Sequence, residues 1–194
     1  MPNWCYTNYI ATGDKDEVAD LREKMNGVIN APKSLLENDF GALWLGNLVH
    51  IFGGNPEEIY CRGSIIDVAD EVDEGEFLSF RTETAWSDMR ETFDFIESKY
   101  NTIKFFFFAE ETSACGYWTN DKDGEHFTER YIVEQWDEET MEHETLEEVL
   151  EDIYDRTGKV VSSFEEAELA IGEFNEDEEN KNSQIYIYKV SIVD

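Results

Sequence analysis

Thiol–imidazole catalysis or a soft-metal site would have to rest on three cysteines, Cys5, Cys61 and Cys115, and three histidines, His50, His126 and His143. A nucleophilic Cys or Ser needs an adjacent base, and none of the three histidines stands in a recognisable signature of that kind. Zinc drawn from Cys5, Cys61, Cys115 and His126 would lack the usual ligand spacing, and no CxxC pair exists. No zinc, iron–sulfur cluster or other cofactor is therefore expected. The cysteines read as small buried hydrophobes and the histidines as incidental. Asp121, Asp123 and Glu125 alternate like the opening of a calcium loop, but His126 stands at the sixth position, where that loop needs Gly. Gly53-Gly54 lacks the Lys-Ser/Thr of a phosphate loop. Trp86 and Trp118 have two readings: core anchors, or the walls of a candidate pocket.

Carboxylates are the abundant chemical resource. The chain of 194 residues holds 46 Asp and Glu against 15 Lys and Arg, a net charge of −31. Residues 134–155 contain eleven acids (Glu134, Asp137, Glu138, Glu139, Glu142, Glu144, Glu147, Glu148, Glu151, Asp152, Asp155) and no Lys or Arg. Residues 165–179 contain eight more, again without a base. On a helix beginning at Leu146, Glu147, Glu148, Glu151, Asp152 and Asp155 fall opposite the apolar stripe, where like charges three or four apart cost a few tenths of a kcal/mol per pair. These five are the candidate partner-binding residues. The face is either a solvated, solubilising one or a surface for a basic protein, with imitation of nucleic-acid phosphates as one form of the latter. The same charge excludes electrostatic binding of DNA, RNA or an anionic membrane. No apolar run reaches membrane-spanning length and no basic-then-apolar leader opens the chain, so a cytoplasmic protein is expected.

The elements that must position these residues follow from periodicity. Trp4–Thr12 reads as a strand. Asp14 and Glu17 read as a capping pair for a helix carrying Val18, Leu21 and Met25, stopped by Asn26-Gly27. Residues 28–62 lose the pattern and read as an insertion with one short helix. Ser64–Val72 and Phe77–Thr84 form a hairpin about Asp73-Glu74-Gly75. Ser87 is the expected cap of a helix with Met89, Phe93, Ile96 and Tyr100 on one face, and Ile103–Ala109 is a strand with four consecutive phenylalanines. Strand-helix-strand-strand-helix-strand is the ferredoxin-like βαββαβ order of an antiparallel α+β sheet. Phe105–Phe108 would make a poor edge, so this strand is expected inside the sheet, between the first strand and a segment of the C-terminal extension. That extension is read as a hairpin (Ala114–Thr119 with Phe127–Gln135, turning at Asp121–Gly124), two helices and a strand. The helices start at the caps Thr145/Glu148 and Ser163/Glu166, and Ile185–Val193 is the strand. The expected domains are 1–135, a core with its insertion at 28–62, and 136–194, an acidic extension packed on the same domain.

Met1-Pro2-Asn3-Trp4-Cys5, with Asn8 in the first strand, resembles the Api92-like proteins with a ferredoxin-like domain, a family carried by phages and other mobile elements. Glu83-Thr84-Ala85-Trp86-Ser87 matches the turn those proteins place before the second helix, and Glu110-Glu111 followed by Gly116-Tyr117-Trp118 is a looser match. The resemblance covers residues 1–135. A Trp-Gly-Thr-Lys-Trp block common in that family is replaced here by Asn55–Gly63, so nothing attached to that block carries over. The resemblance implies a phage or mobile-element protein without iron–sulfur cluster. The combined expectation is a non-enzymatic protein that binds a basic protein of the host or of a competing element. The alternative is an enzyme with a carboxylate-rich, metal-dependent site.

Overall fold

The chain is an α+β protein, and the computed structural model describes residues 3–69, 77–111, 116–136 and 138–194. The expected turn at Asp73–Gly75, Cys115 and Asp137 lie outside the described residues. Strand β1 (Trp4–Thr12) buries Cys5, Thr7, Tyr9 and Ala11 on one face, as its alternation dictates. Helix α1 (Lys15–Ile29) runs through the expected stop at Asn26-Gly27, because Val28 adds a fourth buried anchor after Val18, Leu21 and Met25. Helix α2 (Leu45–Ile51) is the short helix expected within 28–62. Strands β2 (Gly63–Val68) and β3 (Phe77–Ala85) pair antiparallel, helix α3 (Arg90–Glu97) follows, and β4 (Lys104–Glu111) and β5 (Gly116–Thr119) pair antiparallel in turn.

These strands run in the order β2-β3-β1-β4-β5. With a strand beyond β4, the sheet departs from the four-stranded order expected of a simple ferredoxin-like unit. The phenylalanine strand β4 is interior, flanked by β1 and by β5. Where β5 ends, Asn120 continues the ladder with its side chain: Oδ1 accepts from Phe107 N at 2.8 Å and Nδ2 donates to Phe105 O at 2.8 Å. Phe105 packs with Tyr9, Phe80 and Phe93 beneath α1 and α3; Tyr9 and Phe80 stack at 4.9 Å and Phe93 and Phe105 meet edge-on at 5.4 Å.

The predicted second hairpin does not form. Strand β6 (Tyr131–Gln135) pairs instead with β7 (Met141–His143) and with β8 (Ile185–Lys189), in a separate sheet of order β7-β6-β8. The segment between β5 and β6 is a loop coiled about Arg130, whose guanidinium donates to the carbonyls of Phe127 and Glu129 at 2.8 Å and of Lys122 at 3.5 Å. The chain accordingly divides into two compact units, 1–121 and 122–194, ahead of the 135/136 boundary drawn from the sequence. In the second unit, helices α4 (Leu146–Thr157) and α5 (Phe164–Glu176) cover the small sheet. Val133, Val149, Ile153, Ala167, Ile171 and Ile185 form its core. The last strand breaks at Val190 into β8 and a two-residue β9 (Ser191–Ile192), where Val190 N donates to Arg130 O at 2.9 Å.

Asp14 occupies the N-cap of α1 but its side chain caps nothing, and Glu17 does not close a capping box. Glu17 reaches to the turn before β4 instead, accepting from Thr102 Oγ1 at 2.7 Å, Thr102 N at 2.8 Å and Asn101 N at 3.0 Å. Those donors, Thr102 Oγ1 foremost, pull its carboxyl from 4.5 down to about 2. A depressed folded value means the contribution is complete above about pH 4.5 and is lost as pH falls through about 2. Glu17→Gln is therefore expected to lower stability at neutral pH, with the gap to wild type closing across that acid window. Urea unfolding at stepped pH measures it; a gap independent of pH would contradict this origin.

Candidate groove along helix α4

Helix α4 starts where the sequence says it should. Thr145 Oγ1 accepts from Glu148 N at 3.3 Å while Glu148 Oε2 accepts from Thr145 N at 3.1 Å, a complete capping box. The backbone N–H of Thr145, with that of Glu144 at 2.9 Å from Oε2, holds the Glu148 carboxyl below its ordinary value, Thr145 N contributing most. Gly158, at φ 70°, ends the helix in the left-handed conformation and turns the chain back, so that Val160 and Val161 return alongside α4.

The five candidate acids separate by role. Glu148 closes the cap. Asp152 is a structural hub, with Oδ1 accepting from Arg156 Nε at 2.6 Å and Oδ2 lying 2.9 Å from His143 Nε2. Arg156 also donates to Glu138 at 2.9 Å and to Gln135. The acidic run is thus partly compensated by an arginine one residue beyond it. Glu147, Glu151 and Asp155 carry no ion pair among the described residues. With Leu150, Tyr154, Val160 and Val161 they line a groove of about 570 Å³. At four-residue spacing these three carboxylates fall at ~6 Å steps along the helix. The floor beside them is apolar and open to water: Tyr154 is 51 % exposed and Val160 88 %. Leu150 and Tyr154 share the apolar stripe of α4 with Val149 and Ile153 by helical spacing, but only Val149 and Ile153 are buried there.

Trp86 and Trp118 serve the loop before α3. Ser87 does not cap that helix: Met89 holds the N-cap position at φ 56°, and Trp86 sits at φ 69°. Left-handed backbone at bulky residues costs of order 1–3 kcal/mol each and persists only where surroundings enforce it. The enforcing bonds run from Trp118 Nε1 to Asp88 Oδ1 at 2.8 Å, from the Tyr9 hydroxyl to Asp88 O, and from Thr84 Oγ1 to Ser87 O. Asp88 Oδ2 lies 3.6 Å from Arg90 Nε. The Trp86 ring is half-exposed and stacks under the Arg62 guanidinium at 4.9 Å. Trp118 is therefore an anchor whose N–H is engaged, and Trp86 a platform for an arginine.

Burial pushes the Cys5 and Cys61 thiols up to about 11, so both stay protonated near neutrality. Among the described residues no group of three or more His, Cys, Asp or Glu is arranged to hold a metal ion, and no helix is long and apolar enough to cross a membrane. Compared with family models, with curated proteins and with solved structures, the chain finds no match.

Proposed function

We propose that this is a non-enzymatic binding protein whose groove along α4 receives an amphipathic, Lys- or Arg-bearing segment of a basic partner. The carrying observation is the coincidence in one groove of carboxylates without an ion pair among the described residues, Glu147, Glu151 and Asp155, and apolar side chains open to water, Tyr154 and Val160, beside the partly buried Leu150. A merely solubilising face has no use for the apolar floor. Imitation of nucleic acid has none either, and it asks for a denser line, since a duplex presents one charge per ~1.7 Å against one per ~6 Å here. Cationic side chains on the three acids, with an apolar side against the floor, complete both surfaces. Thiols held protonated by burial weigh against an enzyme that depends on Cys5 or Cys61.

The first unit is read as a ferredoxin-like βαββαβ arrangement extended by β5, and from the resemblance of Met1–Cys5 to the Api92-like proteins we read the chain as a phage or mobile-element protein acting in the cytoplasm. Its partner is then a basic protein of the host or of a competing element.

The immobilised chain is expected to capture a basic protein from host lysate at low salt and to lose most of it once the Debye length shrinks to ~8 Å near 0.15 M. The triple variant Glu147→Gln, Glu151→Gln, Asp155→Asn should capture it markedly less at low salt while keeping its circular dichroism and unfolding midpoint, because these side chains face water. Equal capture by variant and wild type at every salt concentration would leave the groove without a partner.

A further inference from the structure

A second pocket lies in the first unit, formed by the insertion and the start of α3. It has a volume of about 340 Å³, and its wall includes Phe40, Trp44 and Tyr60 together with Glu57, Glu58 and Glu91. From these we infer a binding site for a compact organic cation, one whose charge sits on an alkylated nitrogen. The site belongs to the first unit and rests on none of the residues that form the α4 groove.

The aromatic wall is built in advance. Trp44 donates its Nε1–H to Cys61 O at 2.9 Å and forms a backbone bridge to Ser64. Its ring lies across Gly46, where a Cβ would stand only 2.3–2.5 Å from the six-membered ring, so the glycine is what admits the indole. Phe40 stacks on Trp44 at 5.4 Å with 24° between the planes. Its turn is held by Asn38 Oδ1, which accepts from Phe40 N at 2.7 Å and Gly41 N at 2.8 Å. Tyr60 is fixed through its carbonyl, which accepts from the buried Thr92 Oγ1 at 2.7 Å. Yet Phe40 is 52 % and Tyr60 45 % exposed. Large aromatic faces carried on a held backbone and left to solvent are what a cation binds through the ring quadrupole.

The charges select the ligand. Glu57, Glu58 and Glu91 repel phosphates and carboxylates. The field of Glu91 adds to burial in raising the neighbouring Cys61 thiol. Arg62 also borders the pocket, but its guanidinium is stacked over Trp86 at 4.9 Å, an existing cation–aromatic contact on the same surface. A bare ammonium keeps its strong hydration, whereas an alkylated one presents apolar methyl groups that suit aromatic walls. A flat neutral ring would use the aromatics and leave the three carboxylates idle.

Choline is the probe, and 3,3-dimethylbutan-1-ol, its neutral isostere, is the control. Calorimetric titration of the full chain in ~0.15 M NaCl is expected to show choline bound about tenfold or more tightly than the alcohol. Tyr60→Ala and Glu91→Gln should each weaken choline several-fold, Tyr60→Phe should retain it, and Glu147→Gln in the α4 groove should leave it unchanged. Because Tyr60 and Glu91 are exposed, unchanged unfolding midpoints will show that any loss is local. Equal binding of choline and alcohol would overturn the inference in favour of a plain apolar cleft. Choline binding that NaCl abolishes, or that Tyr60→Ala leaves intact, would overturn it in favour of loose counterions on an anionic surface.

Discussion

Ile153→Ala is expected to remove about 2–5 kcal/mol from the stability of the C-terminal unit. Ile153 is fully buried at the centre of that unit's core, between Val149 one turn away on α4, Ala167 and Ile171 on α5, and Val133 and Ile185 on the sheet. Truncation loses the transfer energy of the removed carbons and leaves a cavity that a small core packed by two short helices cannot close without breaking β6–β8 contacts. The unit has few other anchors, so this loss is large against the 5–15 kcal/mol typical of a whole domain. Ile153→Val should cost about 0.5–1.5 kcal/mol. Denaturant unfolding of the full chain, followed by circular dichroism, measures both. A loss for the alanine variant no larger than that of the valine variant would mean the helix pair is not docked as described.

Gly63→Ala is the second large effect. Gly63 opens β2 opposite Thr84, and a Cβ there would lie 2.6 Å from Glu83 O and 2.7 Å from Thr84 Cα, with Thr84 Cγ2 at 2.5 Å. Two of those neighbours are backbone of the adjoining strand, which cannot step aside without opening the ladder. Overpacking of this kind costs about 1–3 kcal/mol, and immovable neighbours put the expectation at the upper end. Gly172→Ala supplies the opposite sign. That residue lies on the exposed side of α5 with nothing within 4 Å of a built Cβ, so alanine should stabilise by about 0.5–1 kcal/mol through helix propensity. Comparing the two unfolding midpoints separates a glycine required by packing from one that is not; loss of similar size at both positions would show that packing is not the cause at Gly63.

Much of the architecture is local information. The 2-residue alternation of Cys5, Thr7, Tyr9 and Ala11 makes β1 two-faced wherever it is placed. Thr145 with Glu148, and Ser163 before Glu166, start α4 and α5 through bonds confined to one helical turn. Four adjacent phenylalanines dictate an interior strand, because no edge could expose them without inviting aggregation. Readings failed where a distant partner outbid a near one. Glu17 prefers the donors of Thr102 and Asn101 to the start of its own helix. The loop at Trp86–Met89 adopts left-handed backbone because Tyr9 and Trp118, far off in sequence, hold Asp88. The turn signals around Gly124 suggested a hairpin, yet Arg130 gathers that segment into a loop and β6 finds its partners beyond it.

The candidate sites divide along the same line. The acidity of α4 is a property of the chain itself, but its solvent face is only partly so: the 3.6-residue repeat sets Tyr154 on the apolar stripe and Asp152 opposite it, whereas the fold leaves Tyr154 half-exposed and covers Asp152. Which acids remain available is likewise only partly so: the four-residue spacing of Asp152 and Arg156 is local to the helix, whereas His143 reaches Asp152 from β7 and Arg156 reaches Glu138 and Gln135 only in the fold. The groove floor depends on Gly158 turning Val160 and Val161 back along the helix. The aromatic pocket needs Phe40, Trp44, Tyr60 and Glu91 to converge from separate segments. Periodicity reports interactions within a few residues; convergence of segments is set by the long-range packing and hydrogen bonds that only the folded chain makes.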